Sequence, residues 1–137
     1  MCAAMSALAQ HVLDLDKSVR SCGIVDRLGN VIASKYRADF KPLLDDRETE
    51  RHAITWAIRM SHPQSWEKNL GSTRYILTRY ERAIRTIIPM TSAQVMVMVC
   101  FDTDIDNFDS ILMRSIVPYL DEAFDEGRTG AAIHAAS

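Results

Sequence analysis

Three aspartates at alternating positions directly follow the most apolar segment of the chain. Asp102, Asp104 and Asp106 come after the run Val95–Phe101, and closely spaced carboxylates can bind a divalent cation. A calcium-binding EF loop also needs a glycine at its sixth position and a carboxylate at its twelfth, and this segment has neither. The segment therefore does not predict a calcium site.

A second interpretation of the same segment is a phosphatase nucleophile. An apolar strand that ends in Asp-x-Asp-x-Thr or Val resembles the motif of haloacid-dehalogenase phosphatases, but Asp106 stands where the Thr or Val would be. The rest of the chain is also too short to build the fold that this motif requires. We expect instead that Asp104 or Asp106 caps the last helix, where neighbouring carboxylates favour the helix dipole, and that the segment binds no metal.

Other groups that could carry catalysis are few. The four histidines are scattered without a His-x-x-x-His pair, whereas a zinc site needs about four convergent ligands. The five glycines form neither Gly-x-Gly nor Gly-Lys-Ser/Thr, so no phosphate-binding loop is predicted. Cys22 and Cys100 fall in predicted strands and are expected in the core, although a Cys–His nucleophilic pair stays open. We therefore predict no catalytic residue, no cofactor and no enzymatic activity.

A group of cationic and aromatic residues could bind an anion or a protein partner. Its four arginines lie close together in the sequence, with two tyrosines among them: Arg74, Arg79, Arg82 and Arg85, with Tyr75 and Tyr80. Arginine and tyrosine are favoured at protein interfaces and on anion-binding surfaces. The alternative is a solvated sheet edge on which charge prevents unwanted strand pairing.

The first half of the chain predicts a helix, a hairpin and a second helix. Apolar residues recur with helical spacing from Ala3 to Leu15. Val19–Asp26 and Val31–Tyr36 are short, β-branched and joined by a turn that contains Gly29, which indicates a hairpin. Arg47–Ser61 then has helical spacing, and a short helical turn follows it as far as Leu70.

The second half predicts three strands and a last helix. The strands span residues 74–80, 83–89 and 93–101, and the helix that follows is interrupted by Pro118. Because Val95–Phe101 is apolar on both faces, we expect it inside the sheet. The fold class is therefore α+β, a single five-stranded antiparallel sheet with helices packed on it, in the order α-β-β-α-β-β-β-α.

The helix Arg47–Ser61 carries more apolar residues than one buried stripe needs. We expect its sheet-facing stripe to consist of Ala53, Ile54, Ala57, Ile58 and Ser61. Trp56 and Met60 would then project elsewhere. Large apolar side chains left in water invite association, so this helix is a predicted site of homodimerisation.

Composition limits the remaining possibilities. With 137 residues, 47 % of them hydrophobic, the chain suits one domain, which we assign to residues 1–125, followed by a flexible tail, residues 126–137. The formal net charge of -2 argues against a nucleic-acid-binding domain. No apolar run approaches the ~20 residues of a membrane helix, so no membrane insertion is expected. An odd set of three cysteines favours a cytoplasmic location.

The order of elements and two local segments resemble the roadblock and longin group of profilin-like domains. The segments are Gly23–Val31 (GIVDRLGNV) and Gly71–Leu77 (GSTRYIL). The resemblance implies a non-enzymatic homodimer that pairs through the middle helix and third strand and serves as a platform or regulator for a small GTPase. The implied pairing surface carried over to this chain comprises Ala53, Trp56, Ala57, Met60 and Tyr75. The sequence also resembles small archaeal proteins of similar length, which implies no function.

A ligand sensor is the alternative function. PAS and GAF domains share the hairpin, helices and meander order and hold a small molecule between sheet and helices. The seven methionines of the chain would suit an adaptable pocket, although they also suit gap-filling in a core.

Overall fold

The computed structural model describes residues 2–62 and 65–125, and its elements follow the predicted order. The elements are α1 (Cys2–Leu15), β1 (Val19–Asp26), β2 (Val31–Tyr36), α2 (Asp46–Met60), α3 (Glu67–Leu70), β3 (Ile76–Arg79), β4 (Ile84–Met90), β5 (Val95–Phe101), α4 (Phe108–Ile111), a π-helical turn (Leu112–Ile116) and α5 (Val117–Ala123). The predicted fold class is confirmed. The predicted tail, residues 126–137, lies outside the described residues.

The five strands form one antiparallel sheet in the order β2-β1-β5-β4-β3. Strand β5 lies at its centre, where Val97 is the partner of Ile24 on β1 and of Ile88 on β4. The prediction that Val95–Phe101 is interior is therefore confirmed. Strands β2 and β3 are the two edges.

Different helices cover the two faces of the sheet. On one face, α1 and the C-terminal helical segment enclose the larger core, in which Val12, Phe101 and Leu120 are fully buried. On the other face, α2 encloses a smaller core whose buried members are Val25, Ala53, Trp56, Ala57, Ile87 and Met96. Within the described residues, no helix is long and apolar enough to cross a membrane.

Helix α2 begins at a capping box. The backbone N–H of Glu48 donates to the Asp45 carboxylate at 2.8 Å, and the Asp45 N–H donates to the Glu48 carboxylate at 3.2 Å. These two bonds satisfy backbone donors that would otherwise lack partners at the start of the helix. The observed bounds of α2 differ from the predicted Arg47–Ser61 by one residue at each end.

The expected orientation of α2 is wrong. Trp56 is only 8 % exposed and packs against the sheet, whereas Ile54 and Ile58 are 40 % and 57 % exposed. The expected and the observed buried stripes both contain Ala53 and Ala57. The expected stripe adds Ile54 and Ile58, whereas the observed one adds Trp56. Burial of Trp56 removes the largest apolar side chain of the helix from water, and this outweighs the exposure of two isoleucines on the outer face.

The last helical segment adapts to Pro118 through the π-helical turn before it. In this turn the N–H of Val117 donates to the carbonyl of Leu112, five residues earlier. Proline has no N–H and collides with the carbonyl four residues before it in a regular α-helix. The predicted interruption at Pro118 thus takes the form of a local widening of the helix.

The expected cap of the last helix is also wrong. Asn107 occupies the N-cap position and makes no side-chain capping bond. Asp102 has a different role: its carboxylate accepts hydrogen bonds from Arg37 Nη1 and Arg20 Nε, each at 2.8 Å. The guanidinium groups, Arg37 foremost, hold the pKa of Asp102 below its ordinary value. This cluster ties the end of β5 to β1 and to the residue after β2.

We predict that Asp102→Asn lowers the free energy of unfolding by about 1–3 kcal/mol, because it removes the charge that two partly buried guanidinium groups share. The measurement is urea unfolding at neutral pH. Asp104→Asn is the matched control, since Asp104 is exposed in the same loop. Equal stability of the two variants would contradict a structural role for Asp102.

Candidate functional site

The outer surface of α2 presents exposed apolar side chains beside the β1–β2 turn. Leu28, in that turn, is 72 % exposed, and Ile54 and Ile58 lie one helical turn apart on α2. Gly29 has φ +90° and is packed so tightly that a Cβ atom there would lie 2.7 Å from the Cα of Ile54. The turn is therefore fixed against the helix. We call Leu28, Ile54 and Ile58 the outer-face patch.

Strand β3 lies beside the C-terminal half of α2 and forms an open edge. Within the described residues it pairs with β4 alone, through partners such as Ile76 and Ile87. Met60 and Ile76 are half-buried against the cluster that contains Trp56. Backbone groups on an edge strand are available to pair with another strand.

The five residues of the implied pairing surface differ in exposure. Ala53, Trp56 and Ala57 are buried between α2 and its own sheet. Met60 is half-buried beside them, and Tyr75 is half-buried against the larger core. Their part in pairing stays a prediction. The outer-face patch is the part of α2 that sequence reasoning missed, because the side of a helix that meets the sheet depends on the packing of both.

The four candidate arginines do not form one surface. Arg74 pairs with the buried Asp121 at 3.3 Å, and Arg79 donates to the carbonyl of Thr103 at 3.2 Å. Arg82 lies in the turn between β3 and β4. Arg85 lies on the α2 side of the sheet, where its Nη1 atom is 3.2 Å from Nδ1 of His52. Arg82 and Arg85 border a common cavity.

That cavity lies between the N-terminal half of α2 and the sheet. It has a volume of about 210 Å³ and adjoins a second cavity of about 50 Å³. The residues that line both are polar or aromatic, together with one thiol: Tyr36, Thr49, His52, Arg85 and Cys100. Apolar residues of the β2–α2 connection, among them Phe40 and Leu43, complete the larger cavity.

His52 and Cys100 are both uncharged near neutral pH. Burial, with the nearby charges of Arg85 and Arg59, lowers the pKa of His52 to about 4. Burial raises the pKa of the Cys100 thiol, although Arg85 and Arg20 act against it. A nucleophilic pair needs a thiolate beside an imidazole that can hold its proton. These pKa shifts therefore do not favour the Cys–His hypothesis.

Cys22 lies in the larger core, as expected from its strand position. Its side chain is fully buried, and burial raises the pKa of the thiol to about 12. Within residues 2–62 and 65–125, no three His, Cys, Asp or Glu side chains lie close enough together to hold a metal ion.

Among known proteins, the chain has similar relatives among solved structures. No protein-family model and no curated protein matches the sequence. MglB of Myxococcus xanthus is 14 % identical, with a TM-score of 0.65 over 90 % of each chain. The gliding protein MglB from Thermus thermophilus is 16 % identical, with a TM-score of 0.64 over 89 % of this chain and 84 % of that one.

A third solved structure carries the name of the fold. A Roadblock/LC7 domain from Streptomyces avermitilis is 15 % identical, with a TM-score of 0.56 over 84 % of this chain and 96 % of that domain. At such identities the likeness establishes the fold and nothing further. The chain therefore has a roadblock-like fold, as the order of its elements predicted, and the PAS and GAF alternative gains no support.

We predict that His52 makes the protein less stable as the pH falls from about 6.5 to about 4. In this window the unfolded chain binds a proton at His52 while the folded chain does not, so protonation favours unfolding. His52→Gln should remove this contribution. The measurement is the difference in unfolding free energy between wild type and variant across this range. Parallel stability curves would contradict the prediction, as would an imidazole that titrates near pH 6.5 by NMR.

Proposed function

We propose that this chain is a dimeric, non-enzymatic interaction module that serves as a platform or regulator for a small GTPase. The observation that carries the proposal is the outer-face patch together with the open edge of β3, in a roadblock-like fold. The outer-face patch offers apolar contact area, and the edge of β3 offers backbone groups for hydrogen bonds. Together they suit a protein partner better than a small substrate.

Dimerisation would cover the outer-face patch. Ile58 is 57 % exposed on a helix that already has its own buried face. A two-fold pairing of α2 with its copy uses the same patch twice and removes both sets of isoleucines from water. Pairing of β3 with its copy would satisfy the open edge in the same assembly. Trp56 and Met60 would then support α2 from beneath.

The partner class rests on the resemblance to roadblock domains. Such domains serve as platforms or regulators for small GTPases, and the solved structures of MglB share the fold of this chain. One solved MglB structure is described as having a tetrameric arrangement, so an assembly of more than one copy is observed for this fold. Transfer of both properties to this chain is part of the proposal.

We predict that Ile58→Arg converts a dimer of about 31 kDa, twice the 15.5 kDa of one chain, into a folded monomer. A charge in the centre of an apolar interface costs about 2 kcal/mol or more of association energy. The measurement is light scattering with circular dichroism. Met113→Arg is the matched control, because Met113 is similarly exposed on the C-terminal helical segment.

The same experiment distinguishes the interface from the core. Trp56→Arg should unfold the chain, since Trp56 is 8 % exposed against its own sheet. A folded, monomeric Trp56→Arg variant would place the pairing surface where the resemblance alone implied it. A wild-type protein that is monomeric at micromolar concentration would contradict the dimer proposal.

The GTPase role needs a separate measurement. We expect wild type to bind at least one member of a panel of purified small GTPases and to prefer one nucleotide state, GDP or a non-hydrolysable GTP analogue. Biolayer interferometry with Ile58→Arg beside wild type tests whether binding needs the dimer. Equal binding in both nucleotide states, or no binding to any member, would contradict a regulatory role and leave the dimer unaffected.

A further inference from the structure

The environment of His52 contains more hydrogen-bond donors than acceptors. Nε1 of Trp56 lies 3.1 Å from Nε2 of His52, and Nη1 of Arg85 lies 3.2 Å from Nδ1. Indole and guanidinium nitrogens only donate, whereas a neutral imidazole has one donor and one acceptor. Only one of the two contacts is therefore a hydrogen bond, and the other places two N–H groups against each other. A protonated imidazole would have two donors and would make the conflict worse.

The charge of Arg85 is also uncompensated. Arg20, Arg37 and Arg74 each have a carboxylate within ion-pair distance, but among residues 2–62 and 65–125 Arg85 has none. The side chain is partly buried, and it lines the same cavity as the thiol of Cys100, which is only a weak acceptor. Withdrawing a cation from water without a counter-charge is costly. A site of this kind favours a bound anion.

The cavity beside Arg85 can hold the body of a ligand. Its volume of about 210 Å³ is below the roughly 300–1,000 Å³ typical of drug-sized ligand sites, so the ligand must be small. Phe40, Leu43, Leu44 and Ala83 give the cavity apolar walls, while the arginine stands at one side. Such walls suit a hydrocarbon or aromatic group attached to the anion.

We infer that this cavity binds a small carboxylic acid with a short apolar body. The carboxylate accepts hydrogen bonds from the Arg85 guanidinium and from Nδ1–H of His52, while the body lies among Phe40, Leu43 and Leu44. Nε2 of His52 then accepts from Trp56, so every donor has an acceptor. The planar guanidinium matches the two oxygens of a carboxylate, and a monoanion balances the single charge of Arg85.

This site is separate from the surface that the proposed function uses. It involves His52 and Arg85 at the sheet-facing side of α2, whereas the outer-face patch lies on the other side of the helix. Binding of the acid and dimerisation are therefore measured independently. Because the indole N–H of Trp56 is hydrogen-bonded to His52, a ligand that binds His52 should change the NMR signal of this buried N–H.

The two tryptophans provide the test. In protein labelled with ¹⁵N at the indoles, hexanoate should shift the Trp56 N–H signal in a saturable manner and leave the signal of the exposed Trp66 unchanged. A Trp66→Phe variant assigns the two signals. Hexanamide, which has the same body without the charge, should bind at least about tenfold more weakly, because it loses the charged hydrogen bonds.

Variants at the arginines separate a specific site from a general effect of charge. Arg85→Gln should weaken hexanoate binding by about tenfold or more, and Arg85→Lys should retain part of it. Arg79→Gln, which removes an arginine outside the cavity, should bind as wild type does. Circular dichroism verifies that each variant is folded.

Three results would overturn the inference. They are the absence of a saturable shift of Trp56 at millimolar hexanoate, equal binding by wild type and Arg85→Gln, and binding of inorganic phosphate without binding of hexanoate. The last result would show an anion site whose ligand has no apolar body.

Discussion

Strand β5 has to be covered on both faces, and most of this structure follows from how that is done. Its apolar residues point alternately into two cores, and both cores must be closed by helices. Helix α1 and the C-terminal helical segment share one face, whereas α2 is the one helix in the described part of the chain that covers the other. A helix is about 10 Å wide, whereas five strands spaced at about 4.8 Å span roughly 19 Å. One helix therefore leaves part of its face uncovered.

The uncovered part explains the chemical character of the α2 side. His52, Arg85 and Cys100 line the cavities between α2 and the sheet, where they are wholly or partly withdrawn from water and no carboxylate of the described residues pairs with Arg85. Asp102 shows the opposite case at the end of β5, because its carboxylate pairs with both Arg20 and Arg37. The same sheet thus has a compensated cluster of charges at the end of β5 and, on its α2 side, the partly buried Arg85 without a carboxylate partner among the described residues.

The hydrophobic pattern of the sequence predicted the helices and strands and also the central position of β5. Both predictions depend on the spacing of apolar residues within a short segment. It could not decide which side of α2 meets the sheet, since Trp56 and Ile58 lie on two stripes of comparable spacing. Whether a tryptophan fits beneath the helix depends on Ile87 and Met96, which are distant in sequence.

Long-range polar contacts were also beyond the sequence. Asp102 follows Arg20 by 82 residues and Arg37 by 65. Nothing in the local pattern of Asp102, Asp104 and Asp106 indicates that the first has distant partners. The four arginines were grouped because they are close in sequence. In the folded chain they lie on different elements, and side chains alternate between the two faces of a strand. Their side chains therefore meet different partners.

The sheet order also determines when the chain can fold during its synthesis. Strand β1 ends at Asp26 but pairs with β5, which begins at Val95, so at roughly 5–20 residues per second a ribosome adds the intervening segment over about 3–14 s. Once β2 has been added at Tyr36, a β1–β2 hairpin that forms before β5 follows has one side of β1 unpaired. Helix α1, which is made first and packs on both strands, can shield one face of the hairpin but not its open side. The nascent chain is therefore most prone to misassociation while its last central strand is still being made.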